Sequence, residues 1–458
     1  MKKKILFFKN KSYSASEINL NSKKIIQCIN LKRPLIFIFS ENNVNFLFFY
    51  VSLIRSDAVF FILDQNIKQK NLDDLISKFS PNYVIIPRHN KISKKKIKPF
   101  KVIFGYKIYL TNTKPVKLNK DLKLLLSTSG TTGPSKFVML SKQNIDINTK
   151  QICKYLKIDE KDKVILNLPL HYSYGLSIFN THFSKHSEIH ISNYSTLDKK
   201  FWNLTKKIRA SCFYGVPQNF EFIKRINLKS LKLKKIKFMA VAGGKINTNT
   251  LKDLCDIAKK NSFNFFNMYG QTEASPRIGY SSFPNKKQNI KFLSSPVLGG
   301  KLFVKDKKGK ILKEEESQGY LYYYGKNVMI GYAEKQKDLA KNRKNNYVIN
   351  TNDIVKIKKN RNYEIIGRAD KFVKINSQKI NLNDIENFLK KYVDIVACVE
   401  NNNRISIFIE TKKANIEYLK KEISEYINLN QNMFIIKRLK KIPRTSNFKI
   451  NYFKLKSL

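Results

Sequence analysis

Ten residues from Ser127 to Lys136 read STSGTTGPSK: six hydroxyl side chains, two glycines, a proline and a lysine. Glycines let a backbone approach a ligand closely, hydroxyls and amides donate hydrogen bonds, and a lysine adds a point charge, a combination suited to polyphosphate. The spacing excludes a P-loop, in which the lysine directly follows the second glycine and a Ser or Thr comes next. Here Lys136 comes three residues after Gly133, and Phe137 follows it. The flanks, DLKLLL and FVMLS, predict a strand on each side, whereas a P-loop leads straight into a helix. Taken alone, the stretch also fits an ordinary polar surface turn.

Metal and thiol chemistry find little footing. The five cysteines, Cys28, Cys153, Cys212, Cys255 and Cys398, are scattered, with no C-x-x-C pair and no neighbouring histidines. That argues against a zinc site or a disulfide framework and for a reducing, cytoplasmic setting. His182 and His186 have a spacing that suits a metal if helical. They are read, with His89 and His190, as surface or packing residues.

A series of further stretches follows the loop in a fixed order. LPLHYSYGL (168–176) and FYGVP (213–217) precede VAGGK (241–245) and MYGQTEASPR (268–277). NTNDIVKI (350–357), IIGRADKFVKINSQKINLNDIE (365–386) and IPRTSNFKI (442–450) come after. Together with STSGTTGPSK, these resemble the adenylate-forming superfamily of acyl-CoA synthetases, peptide-synthetase adenylation domains and luciferases, from about residue 35 to residue 452. The resemblance implies that a carboxylate attacks the α-phosphorus of ATP, giving an acyl-adenylate and pyrophosphate, after which a thiol of CoA or a phosphopantetheine carrier protein displaces AMP. Such chemistry needs positioning and neutralisation of phosphate charge, with no covalent enzyme intermediate.

Carried over position by position, the resemblance assigns roles. Ser127, Thr128, Ser129, Gly130, Thr131, Thr132, Gly133 and Lys136 match the loop that closes over the β and γ phosphates. Gly243 and Gly244 match paired glycines passing along the adenine, although a tight strand-to-helix turn alone would also want them. In YGQTE, Tyr269 matches the aromatic on the adenine face, with Gly270 behind it; Thr272 matches the hydroxyl at the α-phosphate, and Glu273 the Mg2+ ligand. A hard cation that keeps most of its waters needs only one or two carboxylates. Asp353 matches the acid accepting both ribose hydroxyls, Arg368 the arginine on the ribose side, and Asp370 the hinge of a turning C-terminal domain. Lys449 falls on the catalytic lysine, and His171 on the histidine flanking the acyl pocket, with Tyr174, Tyr214 and Val216 as neighbours.

Four positions depart from the family pattern. Asn352 stands where a glycine is usual before the ribose acid, and Asn tolerates the left-handed region better than most residues. Phe448 replaces the glycine before the lysine, Ser377 the glycine after the hinge, and Tyr320 an acid of the preceding strand region. The adenylation half of the chemistry thus rests on better matches than the thiolation half. Two rivals follow: adenylation with a non-thiol acceptor, and a non-catalytic basic protein that binds a nucleotide or nucleic acid.

The elements that must position these residues are legible as pattern. At 458 residues the chain holds two or three domains. Up to about residue 270, buried β-type runs such as PLIFIF and AVFFIL alternate with helical patterns, predicting an α/β fold. LIFIFSENNVNFLFFYVSLI is interrupted by SENN, so it reads as strand, turn and helix rather than a membrane span. From about Leu298 short strands with turns predict an antiparallel, β-barrel-like region, and the last ~90 residues a small α+β unit. The expected division is residues 1–369, binding ATP and acid, and residues 370–458, a mobile lid carrying Lys449. The 88 Lys and Arg against 34 acids give +54, a balance that ordinarily points to nucleic acid. The lysines are spread evenly among Asn and Ile, as AT-rich codon bias would leave them, which argues against that partner.

Overall fold

The computed structural model describes residues 3–90, 98–111, 113–127, 136–225, 235–285, 288–375, 378–401, 403–411, 414–444 and 450–458. Thr128 to Gly133 of the loop, Ser377, Phe448 and Lys449 lie outside the described residues.

Apolar runs without alternation become strands buried on both faces. In Leu35–Ser40 all six residues are buried, between the parallel strands Val59–Asp64 and Tyr83–Pro87. Asn43 then caps the helix Val44–Arg55, accepting 2.8 Å from the Phe46 amide, which is the strand, turn and helix expected. These strands belong to an eight-stranded sheet in which Val59–Asp64 also pairs with Leu122–Ser127. That strand runs antiparallel to Phe137–Ser141, so STSGTTGPSK joins two adjacent strands as its flanks predicted.

A second, nine-stranded sheet has a parallel centre, including Lys163–Leu166, Cys212–Gly215, Phe238–Val241 and Asn264–Gly270, and continues antiparallel into Arg277–Phe283. The basic N-terminus, which carries no clear sequence signal, supplies Lys4–Phe8 and Lys11–Ser14 to its far edge. A core of buried aliphatic and aromatic residues between the two large sheets includes Phe46, Phe49, Tyr50, Leu126, Leu166 and Phe179.

The antiparallel region after Leu298 forms a five-stranded sheet. Gln318–Tyr324 alternates exposed or half-buried with buried residues, the signature of one packed face. Beyond it lie a two-stranded hairpin and a three-stranded sheet of Val396–Asn401, Arg404–Ile409 and Phe434–Arg438, packed with the helices Leu382–Leu389 and Ile416–Ile427. Two hydrophobic cores there draw only on residues from Val373 onward. All five cysteines are buried and unpaired. Among the described residues no helix is long and apolar enough to cross a membrane, and no cluster of His, Cys, Asp and Glu could hold a metal. His186 lies just past the helix Ser173–Ser184 that carries His182, so the His182–His186 pair shares no helical face.

Candidate nucleotide and acyl site

Asp353 is placed by two antiparallel strands, Val348–Lys358 and Asn362–Arg368, whose register sets it opposite Arg368. Asn352 before it takes φ 61°, the left-handed turn its side chain tolerates. Thr351 donates to the Leu321 carbonyl at 2.9 Å and accepts the Asp353 amide at 3.2 Å, tying the turn to the neighbouring strand. Asp353 is buried, with 10% of its side chain exposed. It accepts a short hydrogen bond from the Tyr269 hydroxyl and lies 3.8 Å from the Arg368 guanidinium. Burial raises its pKa, against the pull of Arg368 and Tyr269. Arg368 also reaches Asp370 at 3.6 Å; burial opposes its charge, yet these two acids raise its pKa.

Tyr269 is the last residue but one of the strand Asn264–Gly270, and the next turn brings Thr272 and Glu273 together. A Cβ on Gly270 would overlap the Pro276 carbonyl oxygen, so the backbones meet only with glycine there. Thr272 is buried, its hydroxyl 3.2 Å from that of Ser173, the first residue of the helix Ser173–Ser184. The Glu273 carboxylate accepts from Tyr332 at 2.8 Å. Tyr332 belongs to Gly331–Ala333, a short strand hydrogen-bonded to Phe137–Ser141 directly after the loop. Lys136, at the loop's exit, stands 5.9 Å from the Tyr332 ring and 3.3 Å from Glu334. Lys136 and the metal-ligand candidate, over 130 residues apart in sequence, therefore meet through Tyr332. Among the described residues no Lys or Arg forms an ion pair with Glu273, and a single carboxylate with hard oxygen donors suits Mg2+ beside phosphate oxygens.

His171 is held from both sides. Its Nδ1 lies 3.2 Å from the Ser40 hydroxyl and its Nε2 3.6 Å from the Asp64 carboxylate. Ser40 and Asp64 are in-register last residues of two parallel strands, the edge where α/β sheets bind ligands. Gly243, at φ +88°, takes a backbone conformation that favours glycine, and a Cβ there would also stand 3.3 Å from the Tyr172 hydroxyl and 3.4 Å from Val216. Gly244 packs on Pro217 in the same turn. Tyr174 and Tyr214 turn inward instead. Tyr174 donates to the Ala240 carbonyl at 3.0 Å beneath the Arg277 guanidinium, and Tyr214 meets His182 Nε2 at 3.0 Å. Both hydroxyls are buried, which raises their pKa, while burial pulls His182 down to about 3 and keeps it neutral. His182 is thus a packing residue, as expected. Ser40, Asp64 and Tyr332 lie in none of the stretches that carry the resemblance; their place at strand ends and on a paired short strand shows them.

A family model described as "AMP-binding enzyme" matches residues 2–333. The chain belongs to the AMP-binding enzyme family. Among curated proteins, this AMP-binding enzyme is 24% identical over 297 residues to an acyl-CoA synthetase of Alternaria alternata, covering 58% of this chain and 50% of that protein. It is 23% identical over 385 residues to gramicidin S synthase 2 of Brevibacillus brevis, covering 78% of this chain and 8% of that one. The chain thus spans half or less of the length of these relatives. Its fold matches ATP-bound MatB from Rhodopseudomonas palustris, with TM-score 0.79, 16% identity, and coverage of 99% of this chain and 95% of that chain. It also matches O-succinylbenzoate coenzyme A synthetase from Bacillus subtilis in complex with ATP and magnesium ion, with TM-score 0.77, 14% identity, and coverage of 100% and 97%.

Proposed function

We propose that this AMP-binding enzyme activates a small carboxylic acid with ATP, forming an acyl-adenylate and releasing pyrophosphate, and transfers the acyl group to a thiol of CoA or of an acyl carrier protein. The observation that carries this reading is the convergence of the Tyr269–Asp353–Arg368 cluster with Glu273, Tyr332 and Lys136 at the mouth of STSGTTGPSK. Asp353 accepts the two ribose hydroxyls, and the Tyr269 ring bounds the base beside the open turn at Gly243 and Gly244. Ser127 to Gly133 and Lys136 hold the β and γ phosphates. Glu273, steadied by Tyr332, holds Mg2+, whose positive charge offsets that of the phosphates when it is bound. Thr272 donates to the α-phosphate. Lys449 bridges the incoming carboxylate and the α-phosphate through its ammonium. His171, fixed by Ser40 and Asp64, flanks the acyl pocket with Tyr172 and Val216. Tyr174 and Tyr214 back that wall from the core.

The division falls at Asp370, with residues 1–369 as the body and 370–458 as a turning lid, in keeping with two cores built only from residues beyond the hinge. Five buried, unpaired cysteines fit a reducing cytoplasm. The test is acid-dependent exchange of labelled pyrophosphate into ATP across a panel of carboxylates. Exchange with any acid establishes the activity, silence with every acid overturns it, and added CoA or carrier protein reads the thiol step.

Two outcomes follow from the geometry. Tyr332→Phe leaves Glu273 unsteadied and is expected to raise the Mg2+ concentration for half-maximal exchange about tenfold, as loss of an outer partner does. Glu273→Gln should raise it further, and unchanged metal dependence in both would remove Glu273 from the metal site. Asp353→Asn is expected to raise KM for ATP at neutral pH by ~10–100-fold, the size of a lost charged hydrogen bond. Because the folded pKa of Asp353 is raised, ionising it opposes folding. That penalty sets in as pH rises through the ordinary carboxylate range and is complete above the raised value. The Asn chain should therefore melt higher than the parent at neutral pH without nucleotide, and equally at about pH 3, below both values. Equal melting at both pH values would show that burial of Asp353 carries no such cost.

A further inference from the structure

Lys371, one residue beyond the hinge candidate, ends a short turn and then enters the core of the lid. Its ammonium lies 3.2 Å from Glu386 Oε1 and 3.1 Å from the Cys398 carbonyl oxygen, to both of which it donates. Glu386 Oε1 also accepts the Cys398 amide at 2.8 Å, and Oε2 accepts the Tyr452 hydroxyl at 3.1 Å. The same ammonium stands 3.1 Å from the centre of the Tyr452 ring. Lys371 and Glu386 are nearly buried, with 14% and 9% of their side chains exposed. One ammonium, one carboxylate and one phenol thus tie the hinge turn, the helix Leu382–Leu389, the strand Val396–Asn401 and the last helix, Tyr452–Lys456.

The last of these ties reaches the lysine motif. Arg444 and Ile450 form an antiparallel bridge across the ends of segment 445–449, and the Asn451 amide donates to the Pro443 carbonyl at 2.8 Å. Tyr452 is the next residue. The base of the segment that contains Lys449 is therefore closed by backbone pairing, and its exit is gripped by the network that begins at Lys371. A cavity of about 390 Å³ flanks the network, lined among others by Asp370, Phe372, Cys398 and Lys456. A side chain that loses its anchor there has room to move, and the surroundings need not collapse around it.

We infer that Lys371, Glu386 and Tyr452 form a positioning relay that fixes the paired residues on either side of segment 445–449, Pro443 and Arg444 before it and Ile450 and Asn451 after it, to the hinge, so that rotation at Asp370 carries both ends of that segment together. The inference rests on the reading of Lys449 given above. Lys371, Glu386 and Tyr452 touch no substrate; they act through Lys449.

Two readouts test it, one of them independent of turnover. The conservative variant Tyr452→Phe keeps the ring under the ammonium and removes only the bond to Glu386. Hydrogen exchange at the Asn451 amide should quicken about tenfold, the size of one net hydrogen bond, while protection of Val396–Asn401 stays at the parent level. Pyrophosphate exchange should lose about tenfold in kcat with KM for ATP unchanged, because ATP binding does not use the relay. Glu386→Gln should do the same, Lys371→Met more strongly, and Lys371→Arg should recover most of the loss. Parent-like Asn451 exchange in Tyr452→Phe and Glu386→Gln overturns the relay whatever the activity, as does parent-like kcat in both. If Asn451 exchange quickens but the parent chain turns over no acid, the reading of Lys449 fails and the mechanical link stands.

Discussion

Gly270→Ala is expected to destabilise the chain by about 3 kcal/mol or more and to abolish acid-dependent pyrophosphate exchange. The added methyl would overlap the Pro276 carbonyl oxygen and stand 3.0 Å from the Pro276 carbonyl carbon. Both are backbone atoms, so no side chain can swing away. Gly270 sits opposite Arg277 in the antiparallel pair, and the Gln271 amide donates to that same Pro276 oxygen at 2.9 Å. Relieving the clash therefore means breaking the turn that holds Tyr269, Thr272 and Glu273 in sequence at the proposed nucleotide site. Gly331→Ala is the control. A Cβ there meets only Met139 Cε, at 3.7 Å, an ordinary contact at the end of a flexible side chain. Urea unfolding should separate the two variants clearly, with Gly331→Ala within about 1 kcal/mol of the parent. Equal midpoints for both would show that the turn tolerates a side chain and that the close approach at Gly270 is not required.

Lys449→Ala should lower the exchange rate by ~10²–10³ and leave ATP binding intact, the cost typical of removing one preorganised charge from a site where negative charge gathers. The reasoning is electrostatic. An incoming carboxylate and an α-phosphate are both anions, and their approach is opposed unless a cation lies between them. The chain carries 88 Lys and Arg, so a general positive potential is no substitute for one placed charge. The residues on either side of its segment are tied together, Arg444 pairing with Ile450. On the proposed reading ATP affinity, measured by equilibrium binding, rests on Asp353, the phosphate loop and Glu273, none of which this variant alters. A variant as fast as the parent would take Lys449 out of the mechanism.

Local pattern made much of this legible. The run LIFIFS, the capping Asn43 and the helix after it follow from burial on both faces and a hydrogen-bonding side chain at the right place. The strands flanking STSGTTGPSK, and so the rejection of a P-loop, came from two short apolar runs. Long-range pairing was not legible. Gly331–Ala333 is three residues long and joins a strand nearly two hundred residues earlier, which no local period reveals, so Tyr332 was missed beside Glu273. Ser40 and Asp64 became neighbours of His171 only through the parallel register of their strands. The two tyrosines of HYSY, one residue apart, could not be told apart by pattern. Helix geometry turns Tyr174 into the core and leaves Tyr172 at the Gly243 turn.

The buried cysteines have a practical consequence. A thiol reacts as its thiolate and only when reached, and all five native ones are enclosed. The folded chain should therefore be nearly silent to maleimide dyes, with no native cysteine to remove. Leu298, 62% exposed on the body side, and Tyr418, 48% exposed on the far side of Asp370, can each be changed to cysteine without disturbing a core. A donor and acceptor dye on that pair would turn the rotation proposed about Asp370 into a colour change, readable molecule by molecule as ATP, acid and thiol are added in turn.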